Sequence, residues 1–395
     1  MRSKSNSSKP APNVADTRPT ALGTGLVALD VILSTDLRRA PVLAAGGTCG
    51  NVLAALSFLG WRTFPVARLN GDTASTIVKS DLTRWGVGLK YATQEPTTAT
   101  PIIVQTIRHN SQGRPTHRFS MACPACGAWL PSYRAVTNAA ATAVIDAVGA
   151  RASSAPQVFF FDRVSRGAIH LATEFAAKGS LVMFEPSGVG EPRLFSEALE
   201  LAHVLKYSRT RLPGLARTLQ ASGARLLEIE TAGAQGLRYR SRLLPTLAWH
   251  SMEAIPAPTL IDTAGAGDWC TAGLLLQLAS RGAAGLRRAT SAEIRDGLRF
   301  GQAAAAVACS YEGARGAMFA VSDAMFSEAI ARLVSVKSSM PNDSRGGPRE
   351  RESRHTSRER RSGQSPRLDP TVRVGGTHGS PMCTLHVPEP SPGPS

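Results

Sequence analysis

Nothing in this 395-residue chain is both long and apolar enough to cross a bilayer, and Met1–Pro19 has no hydrophobic core of the kind a secretory signal needs. A cytoplasmic protein with no membrane partner is expected. Six cysteines are too few in a chain this long for a disulfide framework. Cys49, Cys270 and Cys309 sit among apolar or small residues and read as packed thiols. Acidic residues are scarce, 29 Asp and Glu against 45 Lys and Arg, for a net charge of +16. Lys337–Ser395 holds ten Lys/Arg against six Asp/Glu, so about four of those charges lie in the tail. Its densest basic run, Arg345–Arg361, is interleaved with Glu350, Glu352 and Glu359. No aromatic stacking residues accompany it, so it reads as a solvated tail and no nucleic-acid partner is expected.

The chain is 43% hydrophobic, enough for one large α/β domain with a sizeable core. Residues 1–20 and 337–395 are rich in Ser, Pro, Gly and Arg. They cannot bury enough apolar area to offset chain entropy and should be unstructured, leaving 21–336 as the folded domain. Within it, apolar runs alternate with Ala/Leu-rich stretches, the pattern of a parallel sheet with helices on both faces. Expected strands are Leu22–Leu29, Val66–Leu69, Val158–Phe161, Leu181–Phe184, Val204–Lys206 and Leu226–Glu230. Expected helices are Gly50–Leu59, Ser75–Trp85, Gly167–Lys178, Leu194–Leu201 and Trp269–Arg281. Residues 31–43 and 100–130 break the rhythm with short β-prone runs such as Pro101–Ile107 and Thr116–Ser120, which would form a small β lid.

Ile261–Asp268 carries the most chemistry. Two carboxylates, Asp262 and Asp268, flank small residues that open an apolar helix. Gly265, Ala266 and Gly267 would let backbone N–H groups approach an anion at the helix N-terminus, where negative charge is favoured. Asp268 would then take a proton from a nucleophile beside that anion, the pairing that phosphoryl transfer requires. Taken alone, the same residues would serve as a helix cap and a tight turn.

The stretch is similar to the Asp-Thr-x-Gly-Ala-Gly-Asp signature of the ribokinase-like carbohydrate kinases, the PfkB family. Four further segments resemble that family in its own order. They are Leu22–Asp30 as a first strand, Ala45–Asn51 as a Gly-Gly-x-x-x-Asn helix start, Arg68–Asp72 as a Gly-Asp turn, and Thr231–Gly236 as a nucleotide loop. Together they cover about Leu22 to Ala320. The resemblance implies a three-layer α/β/α sandwich with the β lid over the substrate, and an ATP- and Mg²⁺-dependent kinase acting on a hydroxyl of a sugar, a sugar-like molecule or a nucleoside. It implies Asp268 as general base with Gly265, Ala266 and Gly267 as anion donors. Asp30, Gly46, Gly47 and Asn51 would hold the acceptor, and Thr231, Gly233, Gly236, Ser208 and Arg211 the nucleotide. It places Asp262 near a K⁺ site of those members that have one, and a homodimer contact on the lid.

Two features depart from the family. Arg211 stands where the family has the Glu that organises Mg²⁺ and phosphate, which reverses the local charge. This motivates an alternative reading, a non-catalytic sugar or nucleotide sensor on the same fold. Cys123-Pro-Ala-Cys126-Gly127 has the shape of half a zinc ribbon, so a Zn²⁺ site at the lid would need His117, His109 or a second subunit's pair to complete it.

Overall fold

The computed structural model describes residues 16–34, 38–111, 115–150, 155–219 and 223–338. The segments expected to be unstructured fall outside these, except residues 16–20 and 337–338. Two sheets organise the rest. The larger has nine strands in the order β13 (His250–Met252), β12 (Leu237–Ser241), β11 (Leu227–Thr231), β10 (Val204–Ser208), β9 (Leu181–Phe184), β8 (Val158–Phe161), β1 (Thr20–Thr24), β4 (Arg62–Leu69) and β5 (Ala92–Gln94). Neighbours from β11 through β5 pair in parallel, whereas β12 and β13 add on antiparallel. The smaller sheet has the order β3 (Val42–Gly46), β2 (Ala28–Leu33), β6 (Ile102–His109) and β7 (Pro115–Ser120).

Successive side chains of a strand point to opposite faces, and both faces of the large sheet are covered here. Ala21, Phe160 and Met183 pack against α1 (Thr48–Phe58), α7 (Ala266–Leu278), α9 (Ser291–Ala308) and α11 (Asp323–Ser338). Leu22, Phe159, Phe161, Val182 and Phe184 face α3 (Asn138–Gly149), α4 (Arg166–Ala177) and α5 (Pro192–Leu201). The result is three layers, α/β/α. Strands buried on both faces read as unbroken apolar runs, which is why Val158–Phe161 and Leu181–Phe184 were legible to the residue. Helix α7 is buried on all sides from Trp269 to Leu275, as expected of a helix that is apolar around its circumference.

The expected strand Leu22–Leu29 is in fact two strands in two sheets. The break lies at Gly25, with φ +138°, where a Cβ would fall 1.6 Å from Asp162 Oδ1. Asp162, just beyond β8, accepts the Leu26 N–H at 2.9 Å and so turns the chain out of the large sheet. Asp30 therefore sits on the small sheet. That sheet stands at the carboxyl end of the central strands, where ligands bind in folds of this kind, and its β2 and β3 also rest on α2 (Thr73–Arg84).

Candidate active site

Asp268 is in the first turn of α7, three residues after Gly265, whose left-handed φ of +69° starts the helix. The first-turn N–H groups of Gly267 and Asp268 have no acceptor within the helix, so this end carries partial positive charge. Asp268 Oδ2 accepts a 2.8 Å hydrogen bond from Asn51 Nδ2. Asn51 is not the cap of α1, since Gly47 holds that place. Its amide turns instead to Asp268, and its Oδ1 is buried with no partner among the described residues. A buried carbonyl oxygen without a donor is costly. A hydroxyl placed there would satisfy it and lie beside the Asp268 carboxylate.

Burial, and then the nearby Glu185 carboxylate, push the Asp268 pKa up to about 7, against the pull of the Asn51 amide, Lys206 and Arg211. A carboxyl group tuned near neutrality suits proton abstraction at pH 7. Glu185 follows the last residue of β9 and Lys206 lies in β10. They form a buried ion pair, and Lys206 Nζ also donates to Gly267 O at 3.1 Å. Burial opposes the ammonium, yet the adjacent Glu185 holds the Lys206 pKa above its ordinary value. The pair thereby ties the turn before Asp268 to the central sheet. Glu185, Lys206 and Asp162 were not singled out from sequence. Their only signal is a charge at or next to the end of an apolar strand.

On the lid side, Asp30 is buried, and its pKa is raised to about 7 by that burial, with the Arg315 charge and the Gly47 N–H pulling it down. A Cβ at Gly46 would fall 2.0 Å from the Asp30 carboxyl carbon, so only glycine fits between this carboxylate and the start of α1. The structure thus brings Asp30, Gly46 and Gly47 together, and separately joins Asn51 to Asp268. The residues expected on the nucleotide side gather at the ends of β10 and β11. Ser208 and Thr231 are partners in register. Gly233 and Gly236, both at positive φ, form the turn that follows, closed by Ala232 N–H to Gly236 O at 2.8 Å. Arg211 is exposed and close enough to Asp268 to lower its pKa.

Asp262 is fully buried. Its Oδ1 accepts from Ala264 N–H and its Oδ2 from Gly313 N–H, both at 2.7 Å, and His117 Nε2 on β7 lies 2.8 Å from Oδ1. Both oxygens are therefore engaged by protein donors. Cys123 is buried and Cys126 exposed in a turn of the lid. They offer two of the four ligands that zinc takes. Among the described residues no group of three or more His, Cys, Asp or Glu could hold a metal ion, and no helix is long and apolar enough to cross a membrane.

Residues 190–319, which include the whole Asp262–Asp268 turn, match the family model described as pfkB family carbohydrate kinase. That match spans about a third of the chain. Similar solved structures include an ATP-bound fructokinase from Xylella fastidiosa, 21% identical, with a TM-score of 0.59 over 81% of this chain and 99% of that one. Arabidopsis thaliana ribokinase with ribose and ATP is 18% identical, TM-score 0.55, over 80% and 99%. A Burkholderia thailandensis nucleoside kinase with inosine is 17% identical, TM-score 0.56, over 79% and 97%. No curated relative matches the chain. At these identities the structural likeness establishes the ribokinase-like fold, while the pfkB match rests on the chain's own sequence.

Proposed function

We propose that this chain is a pfkB-type, ATP-dependent kinase that phosphorylates a hydroxyl of a sugar or sugar-like molecule, with Asp268 as general base. The observation that carries the reading is the Asn51–Asp268 pair at the N-terminus of α7. One amide oxygen there is buried without a donor, and one carboxylate is tuned to about 7. An acceptor hydroxyl that donates to Asn51 Oδ1 is held within reach of Asp268. Asp268 takes the proton as the oxygen attacks the γ-phosphate, and the first-turn N–H groups of α7 meet the charge that develops on the transferring group. Asp30 and the Gly46–Gly47 backbone hold other acceptor hydroxyls, while Ser208, Thr231, Gly233 and Gly236 line the nucleotide.

A divalent ion such as Mg²⁺, bound with ATP, would neutralise phosphate charge. Arg211 adds a guanidinium on the same side. The lid's exposed Phe119, Met121 and Trp129 support a homodimer contact.

Arg211 in the acidic position favours a second reading, a sensor that binds sugar or nucleotide without turnover. ATP consumption measured across sugars, sugar acids and nucleosides separates the two. Acceptor-stimulated turnover supports the kinase, and ligand binding without turnover supports the sensor.

A further inference from the structure

A histidine of the lid touches the catalytic turn. His117 comes from β7, and its ring lies between two very different neighbours. On the lid side its Nδ1 is 3.1 Å from Nε2 of Gln105, a β6 residue only 1% exposed, and the Phe119 ring stacks beside it. On the catalytic side its Nε2 is 2.8 Å from Asp262 Oδ1 and 2.9 Å from Thr263 Oγ1. The Thr263 N–H is also directed at Nε2, at 3.2 Å; with the Gln105 amide donating to Nδ1, the ring proton on Nε2 goes to the nearest and charged acceptor, Asp262 Oδ1.

These contacts lead by a short covalent path to the base. Thr263 O accepts the Ala266 N–H that opens α7 at 3.3 Å, and Asp268 lies two residues further on. Asp262 itself is fixed from below by Ala264 N–H and Gly313 N–H. Burial alone would raise its pKa, but the His117 hydrogen bond and the two backbone donors outweigh that and hold it below the ordinary carboxylate value. Withdrawing His117 leaves a buried carboxylate short of a donor, which is costly. Asp262 is therefore better satisfied with His117 against it.

We propose that His117 is a positioning residue that couples lid closure to placement of the Gly265–Asp268 turn, through its hydrogen bonds to Asp262 and Thr263. It acts on the acceptor side, because the same face of the small sheet carries Asp30, which is paired in register with Ile103 on β6, two residues from Gln105. An acceptor that lies against Asp30 and draws the lid down thus sets His117 on Asp262 and steadies the helix start that carries Asp268. The kinetic part of this inference rests on the kinase reading, whereas the mechanical part does not.

The test uses full-length protein with His117→Leu, which removes the donor, and His117→Gln, whose amide nitrogen can take the place of Nε2. Hydrogen exchange on the ligand-free chain reads the mechanical part. In His117→Leu, amides of both the β6–β7 hairpin and the 262–268 turn should exchange about 10- to 100-fold faster, the reach of one lost hydrogen bond to a charged group, with His117→Gln close to wild type. Faster exchange in the hairpin alone, or an equal defect in both variants, overturns the coupling. With an acceptor in hand, His117→Leu should raise the acceptor KM and lower kcat while leaving the KM for ATP unchanged. An ATP KM that rises in parallel contradicts action on the acceptor side. If wild type turns over no acceptor, the kinase reading fails while the exchange result still decides the coupling.

Discussion

Replacing Glu185 by Gln should move the acid limb of the pH–rate profile downward by about one unit. Two causes lift Asp268 from 3.8 to about 7, burial first and the Glu185 carboxylate second. Glutamine keeps the shape and one acceptor oxygen for Lys206, and its NH2 can donate to the Thr271 hydroxyl that now donates to Glu185, while the like charge is removed. At an effective dielectric of about 20, removing a nearby unit charge is worth on the order of 2 kcal/mol, or somewhat more than one pKa unit. The direction does not depend on Lys206 keeping its proton. Glu185 raises the Asp268 pKa by more than Lys206 lowers it, so losing both charges still moves the value down. Because the base must be ionised to act, kcat/KM in wild type should fall as pH drops through about 7, and in Glu185→Gln only as it drops through about 6. The assay is kcat/KM from pH 5 to 9 under saturating ATP, which reports groups of the enzyme before the acceptor binds. An acid limb that stays in place or moves upward refutes the assignment of this limb to Asp268.

Other outcomes follow from the same geometry. Arg211→Glu should shift that limb the other way, since Arg211 lowers the Asp268 pKa, and should steepen the Mg²⁺ dependence. An unchanged metal titration would make Arg211 a bystander. Gly25→Ala should lower stability by at least about 2 kcal/mol in a denaturant titration, because its φ is positive and the new methyl meets the Asp162 carboxylate; a neutral effect would contradict the hinge assigned to Asp162. Exposed Cys126 should react with a thiol reagent in the native protein, while Cys49 and Cys270, buried and with pKa values raised mainly by that burial, should react only on unfolding.

The sequence was most legible where one chemical pressure acts over several neighbouring residues. Val158–Phe161 and Leu181–Phe184 are apolar because both faces of the sheet are covered, and their bounds could be read directly. The turn at Asp262–Asp268 was legible because its glycines and carboxylates are adjacent in the chain. Legibility failed where the deciding partner is remote. The apolar run Leu22–Leu29 carries no local sign that Asp162, more than 130 residues later, breaks it at Gly25. From sequence His117 offers itself only as a zinc ligand, since nothing near it in the chain points to Asp262. Glu185 and Lys206 are single charges at separate strand ends, and only the parallel pairing of β9 with β10 sets them beside Gly267. Helix α9 carries a capping box of Thr290 and Glu293, a local signal that could have located it.

The most direct test of the central claim is acceptor-stimulated ATP turnover by wild type and by Asp268→Asn across a panel of sugars, sugar acids and nucleosides. The asparagine is nearly the same shape and can still pair with Asn51, but it cannot take a proton. At least one acceptor class should stimulate turnover by wild type, and the variant's kcat should fall by roughly 10²–10⁴-fold with little change in acceptor affinity. Turnover by Asp268→Asn at near the wild-type rate, or no stimulation of wild type by any acceptor, would contradict the account.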